Sequence, residues 1–149
     1  MTEYKLVSYT SEDYDFVYQA KKEAYQKYVV ENWGSWVETD QQKYFDDFIK
    51  QFSAGTQIII VNNKKAGFIN GEILDEDTFE LGNICLKEEF RGKGLGSKIL
   101  CDLIQKHKNK DIYLRVFKSN PAKKLYERLG FKTIEDQKYH FKMKRIGEK

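Results

Sequence analysis

Arg91-Gly92-Lys93-Gly94-Leu95-Gly96-Ser97 is the segment best suited to chemistry. Three glycines in five residues remove β-carbons, so backbone N–H groups can come close to a ligand. The apolar spacing changes here from strand period to helix period, and the segment therefore opens a helix. The free N–H groups and the dipole of a helix start favour phosphate, and Arg91 and Lys93 add positive charge. The same glycines also fit a solvated loop. The spacing is neither the dinucleotide fingerprint nor the P-loop.

Glu80 lies eleven residues before Arg91, on the apolar run that leads into this loop. A carboxylate there could take a proton through a water or bind an ammonium. It could also be a simple strand-edge charge. A second segment, Asn120-Pro121-Ala122-Lys123-Lys124-Leu125-Tyr126-Glu127-Arg128-Leu129-Gly130-Phe131, has proline at a first helical position and glycine at the end. Tyr126 on that helix could donate a proton to a leaving group, or be an amphipathic core tyrosine. Tyr28, Trp33 and Trp36 cluster in one connection. Their faces could cradle a cationic amine or staple a loop to the core.

Cys85 and Cys101 form no disulfide framework and read as buried small hydrophobes. His107 and His140 are isolated, so neither a zinc site nor a Cys–His pair is indicated. Lys106, Lys108 and Lys110 read as a solvated helix end.

The elements that must position these residues follow from period and punctuation. A strand is expected over 3–9. Thr10 and Asp13 form a carboxylate variant of the capping box before a helix over 11–27. Thr39 and Gln42 form a second box before a helix over 39–53, with Tyr44, Phe45, Phe48, Ile49 and Phe52 as its apolar stripe. Strands follow at 56–62, 65–74 and 78–86, the first two joined at Asn62-Asn63, where asparagine tolerates positive φ. These three form an antiparallel meander. A helix over 94–108, a strand over 111–117, a helix whose buried face is Ala122, Leu125, Tyr126 and Leu129, and strands at 131–135 and 138–145 complete the chain. The basic stretch from Lys142 to Lys149 is expected to fray past the last strand. The order predicts an α/β fold with a mixed sheet of about seven strands flanked by four helices on both faces.

The chain has 149 residues, of which 40% are hydrophobic and 33% charged, with one proline. That suits a single domain over 1–149 and excludes a disordered chain. The formal charge of +3 comes from 26 basic and 23 acidic residues. So balanced a surface argues against a nucleic-acid partner. No apolar run is long enough to span a membrane, and the first ten residues are too polar for a secretory signal. A reducing cytoplasm is the default location.

The two glycine-bearing segments together, with the element order, resemble the GNAT family, the Gcn5-related N-acetyltransferases. The resemblance covers essentially the whole chain. It implies the acyl-CoA N-acyltransferase fold, acetyl-CoA as co-substrate and no metal. Arg91 to Gly96 match the pyrophosphate-binding loop, and Ser97 continues it. Ile84, Cys85 and Leu86 take the positions of a bulged strand that pairs with the pantetheine arm. Asn120 matches a residue that contacts that arm, and Tyr126 the tyrosine near the thioester sulfur. Glu80 is similar in spacing to a catalytic glutamate of some members. The region of Tyr28, Trp33 and Trp36 borders the acceptor site.

The implied activity is acetyl transfer to a primary amine, on a small molecule or a peptide, by direct attack in a ternary complex. The oxygen charge of the transition state needs a donor, such as the N–H of Leu86 or a neighbour. The amine must lose a proton. The alternative is a non-catalytic acyl-CoA-binding sensor or scaffold. A homodimer is compatible with the resemblance, since dimers are common among relatives.

Overall fold

The computed structural model describes residues 3–148, apart from the side chain of Ser53. Met1 and Thr2 of the N-terminal segment, and Lys149 of the basic C-terminal stretch, lie outside the described residues. The strands are β1 (Lys5–Ser8), β2 (Thr56–Val61), β3 (Lys64–Asp75), β4 (Thr78–Leu86), β5 (Asp111–Phe117), β6 (Lys132–Asp136) and β7 (His140–Arg145). The helices are α1 (Tyr14–Trp33), α2 (Glu38–Phe52), α3 (Leu95–Lys106) and α4 (Ala122–Arg128). As the element order predicts, the strands form one mixed sheet of seven strands; they lie in the order β1-β2-β3-β4-β5-β7-β6. The chain divides into two compact units, one holding the residues up to Gly71 with Asn83–Leu95, the other Glu72–Gly82 with the residues from Gly96 onward.

In the first unit, β1 and β2 and then β2 and β3 pair antiparallel. Asn62 and Asn63 both have positive φ, 51° and 65°, the geometry of a tight hairpin turn. Val17 and Ala20 of α1 and Phe45 of α2 pack with Ile58, Phe68 and Cys85 in one buried cluster. The Asp13 carboxylate accepts the Thr10 N–H at 3.0 Å, the reach-back half of the capping box. It also pairs with Lys65 at 2.6 Å. Burial pushes the Asp13 carboxyl up, but the hydrogen bonds from Lys65 and Thr10 and the Lys65 charge outweigh it and hold it below the usual range.

Two boundaries differ from the expectation. α1 runs on to Trp33 and stops at Gly34, whose φ is 88° and whose N–H bonds the Val30 carbonyl. The connection therefore shrinks to residues 34–37. α2 begins at Glu38, because the Gln41 N–H bonds the Val37 carbonyl at 2.9 Å. Thr39 then sits inside the first turn and is not the cap. The Glu38 carboxylate instead accepts the Tyr18 hydroxyl at 2.5 Å and the Lys22 ammonium. Tyr44 of the expected apolar stripe is 62% exposed.

In the second unit, Ile112–Phe117 of β5 pairs antiparallel with the whole of β7, and β6 pairs β7 with a bulge between Thr133 and Glu135. Ile112, Leu114, Val116, Phe131 and Met143 are buried. Buried His107 stacks on Phe79 with ring centroids 4.2 Å apart. Burial pushes its pKa down, and the charges of Lys106 and Lys110 add to that. The C-terminal stretch does not fray as expected within the described residues. The Gly147 N–H bonds the Asp111 carboxylate at 2.8 Å, and the Glu148 N–H bonds the Lys108 carbonyl at 2.7 Å. Lys110, read as solvated, bonds the Glu76 carbonyl at 2.6 Å and so holds the β3–β4 turn.

Candidate active site

The first unit holds the end of β4 and the glycine loop. Gly67 of β3 lies against the β4 backbone, and a Cβ there would stand 1.9 Å from the Cys85 carbonyl oxygen. That carbonyl therefore points at β3. All peptide bonds among the described residues are trans, and C=O and N–H of a trans peptide point opposite ways. The Leu86 N–H, on the same peptide, is thus directed away from Gly67. One residue later the direction reverses, and the Lys87 N–H bonds the Ala66 carbonyl at 2.8 Å. The Asn70 carboxamide oxygen holds the strand further back by accepting the Asn83 N–H at 2.7 Å.

The Cys85 side chain is buried in the cluster under α1 and α2, so this residue can meet a ligand only through its backbone. Burial pushes its thiol up to about 12, against the smaller opposing effects of Lys21, Tyr25 and Arg91. It is a packed neutral thiol and no nucleophile. Cys101 is exposed, contrary to the expectation, because it falls on the outer side of α3.

Arg91 connects the strand to the loop, its Nε donating to the Leu86 carbonyl at 2.7 Å. Gly92 and Gly94 have φ of 73° and 79°. A Cβ on either would meet nothing within 4 Å. The glycines are thus required by backbone conformation and not by lack of space. Leu95 is buried and anchors the first turn of α3, leaving its main chain for a ligand. Arg91, Gly92, Lys93 and Gly94 are exposed, and Gly96 and Ser97 are half-buried in the helix. The first N–H groups of a helix lack partners within it.

The expected aromatic cluster is redistributed. Tyr28 lies within α1 and is 8% exposed, so it serves the helix more than an open surface. Trp33 ends α1 and is half exposed. Trp36 lies in the short connection with the Lys22 ammonium 5.7 Å from its ring.

The second unit holds the other candidates. Glu80 is half-buried on β4, in parallel register with Tyr113. Among the described residues the pairing of β4 with β5 covers Thr78–Glu80 against Asp111–Tyr113, and both strands run on past it. The Asn120 carboxamide oxygen caps α4 by accepting the Ala122 N–H at 2.9 Å, which orients the rest of that side chain. Pro121 has a helical φ of −64°. The expected buried face of α4 is only half-buried. Tyr126 stacks edge-on against Phe131 at 5.8 Å and keeps part of its surface exposed. Among the described residues no group of acidic, histidine or cysteine side chains is arranged to hold a metal. No helix among them is long and apolar enough to cross a membrane.

Sequence reasoning singled out the loop, Glu80, Asn120 and Tyr126. It missed Gly67 and Asn70, which set the course of β4 from the neighbouring strand. Two glycines in β3, at 67 and 71, were the available signal for a close backbone approach.

This strand order, with its glycine loop opening α3, defines the acyl-CoA N-acyltransferase fold. The chain matches the acetyltransferase (GNAT) family over residues 14–131, and it belongs to that family. It is 37% identical over 87 residues to the [ribosomal protein bS18]-alanine N-acetyltransferase of Haemophilus influenzae, over 56% of this chain and 58% of that enzyme. Among solved structures it resembles the PaiA N-acetyltransferase of Thermoplasma acidophilum in complex with coenzyme A, with a TM-score of 0.71 and 17% identity over 97% of this chain and 99% of that one. It also resembles the ribosomal-protein-S18-alanine N-acetyltransferase of Escherichia coli, with a TM-score of 0.69 and 20% identity over 99% of this chain and 96% of that one.

Proposed function

We propose that the chain is an acetyl-CoA-dependent N-acetyltransferase, a single catalytic domain that moves an acetyl group to a primary amine of a small molecule or peptide by direct attack. The observation that carries this reading is the peptide between Cys85 and Leu86, whose carbonyl faces Gly67 and whose N–H faces away from β3. An N–H so directed can meet the oxygen of a thioester as charge builds on it. Ile84 to Leu86 offer backbone to the pantetheine arm. The main chain of Arg91 to Gly96, with Ser97, receives the pyrophosphate, with Arg91 and Lys93 supplying charge. A family match that spans residues 14–131, and so runs through both units, supports the single-domain reading.

The thioester brings an activated acyl group, so no covalent enzyme intermediate is needed. Glu80 takes the proton of the incoming ammonium, through a water, or holds the ammonium in place. Tyr126 supplies a proton toward the departing sulfur, and Asn120 contacts the cofactor arm with the part of its carboxamide that does not cap α4. Trp33 and Trp36 are the aromatic candidates for acceptor contact; Tyr28 is assigned to the helix. The reaction is placed in the cytoplasm, without metal, membrane or nucleic acid.

Calorimetry with coenzyme A, run beside acetyl transfer to a panel of amines, tests the reading. Binding together with transfer supports it. Tight binding with no transfer to any amine would make the chain a sensor, and no binding would remove the co-substrate.

A further inference from the structure

Glu80 does not stand alone on its face of the sheet. It is in register with Tyr113 on β5, and Tyr113 is in register with Lys144 on β7. One row along the same face, Arg115 is directly opposite Lys142. The Lys142 and Lys144 ammonium groups both gather over the Tyr113 ring, 5.5 and 5.3 Å from its centroid. Lys144 is neutralised by Asp111 at 3.5 Å. Arg115 is exposed, and no carboxylate among the described residues pairs with it or with Lys142. Glu135 of β6 is in register with Lys142 but forms no ion pair with it.

Like charges directly opposite each other on a sheet oppose folding. Arg115 and Lys142 hold that arrangement beside a tyrosine and next to a carboxylate. The face thus presents negative charge at Glu80 and unneutralised positive charge at Arg115 and Lys142. One strand spacing across and two residues along separate the Cα atoms of Glu80 and Arg115, about 8 Å. Side chains anchored at that spacing on one face are close enough to engage, together, a peptide's terminal amine and the carboxylate of an acidic second residue.

Taking Glu80 as the group that meets the acceptor amine, we propose that Arg115 and Lys142 select a peptide acceptor with an acidic residue behind its terminal amine. Glu80 takes the ammonium and the cation pair takes the carboxylate, so the acceptor's charge separation matches that of the face.

The test compares Ala-Glu-Ala-amide with Ala-Gln-Ala-amide, which differ in charge and hardly in shape. Expected is a kcat/KM about tenfold higher for the glutamate peptide, shrinking with added salt and falling to near parity in the double variant Arg115→Gln, Lys142→Gln. The N-acetylated forms of the two peptides, measured by NMR titration, should show the same preference and the same loss. That arm needs neither an amine nor turnover. A preference in binding without transfer would therefore count against the catalytic reading and for this one. Equal handling of both peptides in both arms overturns the proposal, as does a preference that survives in the double variant. Better transfer to γ-aminobutyrate than to either peptide overturns the peptide assignment. The double variant should melt no lower than the parent; a lower melting temperature accompanying the lost preference would assign the pair to the fold instead.

Discussion

Glu80 and Tyr126 carry the proton transfers of the proposed reaction, and each has a separable signature. Tyr126→Phe keeps the ring that packs on Phe131 and removes only the hydroxyl. It should lower kcat by about 10²-fold with little change in the coenzyme A dissociation constant, read by steady-state kinetics beside calorimetry. Glu80→Gln should remove the acidic limb of the kcat/KM profile while coenzyme A still binds. If that limb is unchanged, Glu80 is not the base. Asp13 has a different task. Its carboxyl is held below the usual 3.8, so the charged form favours the folded state. The unfolded chain binds the proton more readily, so stability from this group is present above the usual value and is lost as pH falls through the lowered one. Asp13→Asn should therefore lower the melting temperature at neutral pH, and the gap from the parent should close as acid protonates the folded carboxyl.

The end of β4 and the loop after it are where local sequence meets its limits. The loop is legible: glycines between a strand and a helical period announce positive φ, and Gly92 and Gly94 have it. Gly94→Ala should cost about 1–2 kcal/mol of stability through its left-handed backbone alone and weaken coenzyme A binding, measurable by melting and by calorimetry. The direction of the Cys85 carbonyl is not legible, because it depends on Gly67 some eighteen residues away. Gly67→Ala would drive a Cβ into that carbonyl. Overpacking of this kind costs about 1–3 kcal/mol, and the variant should lose coenzyme A affinity out of proportion to Gly92→Ala, where a Cβ finds open space. The boundaries of α1 and α2 fail for a related reason. Val29 and Val30 are β-branched and weaken local helix preference. Tertiary packing nevertheless carries α1 to Gly34, with Tyr28 and Val29 buried. Glu38 starts α2 with partners on α1, Tyr18 and Lys22, that a capping pattern cannot reveal.

For the molecule as a whole, element order and the paired glycine segments were enough to read the fold and the family. They could not reveal that β7 inserts between β5 and β6. Strand order is decided by long-range pairing, and the alternating patterns of the last two strands fit either neighbour. That insertion is what sets Arg115 opposite Lys142 and so gives the face beside Glu80 its charge. Acetyl transfer by this chain is measured most directly as release of free thiol from acetyl-CoA while amines are supplied one by one to the purified chain. An acetyltransferase gives release that depends on an amine, matched mole for mole by acetylated product and lost in Gly94→Ala. Thiol release that is the same with and without every amine, or none at all, would contradict that activity.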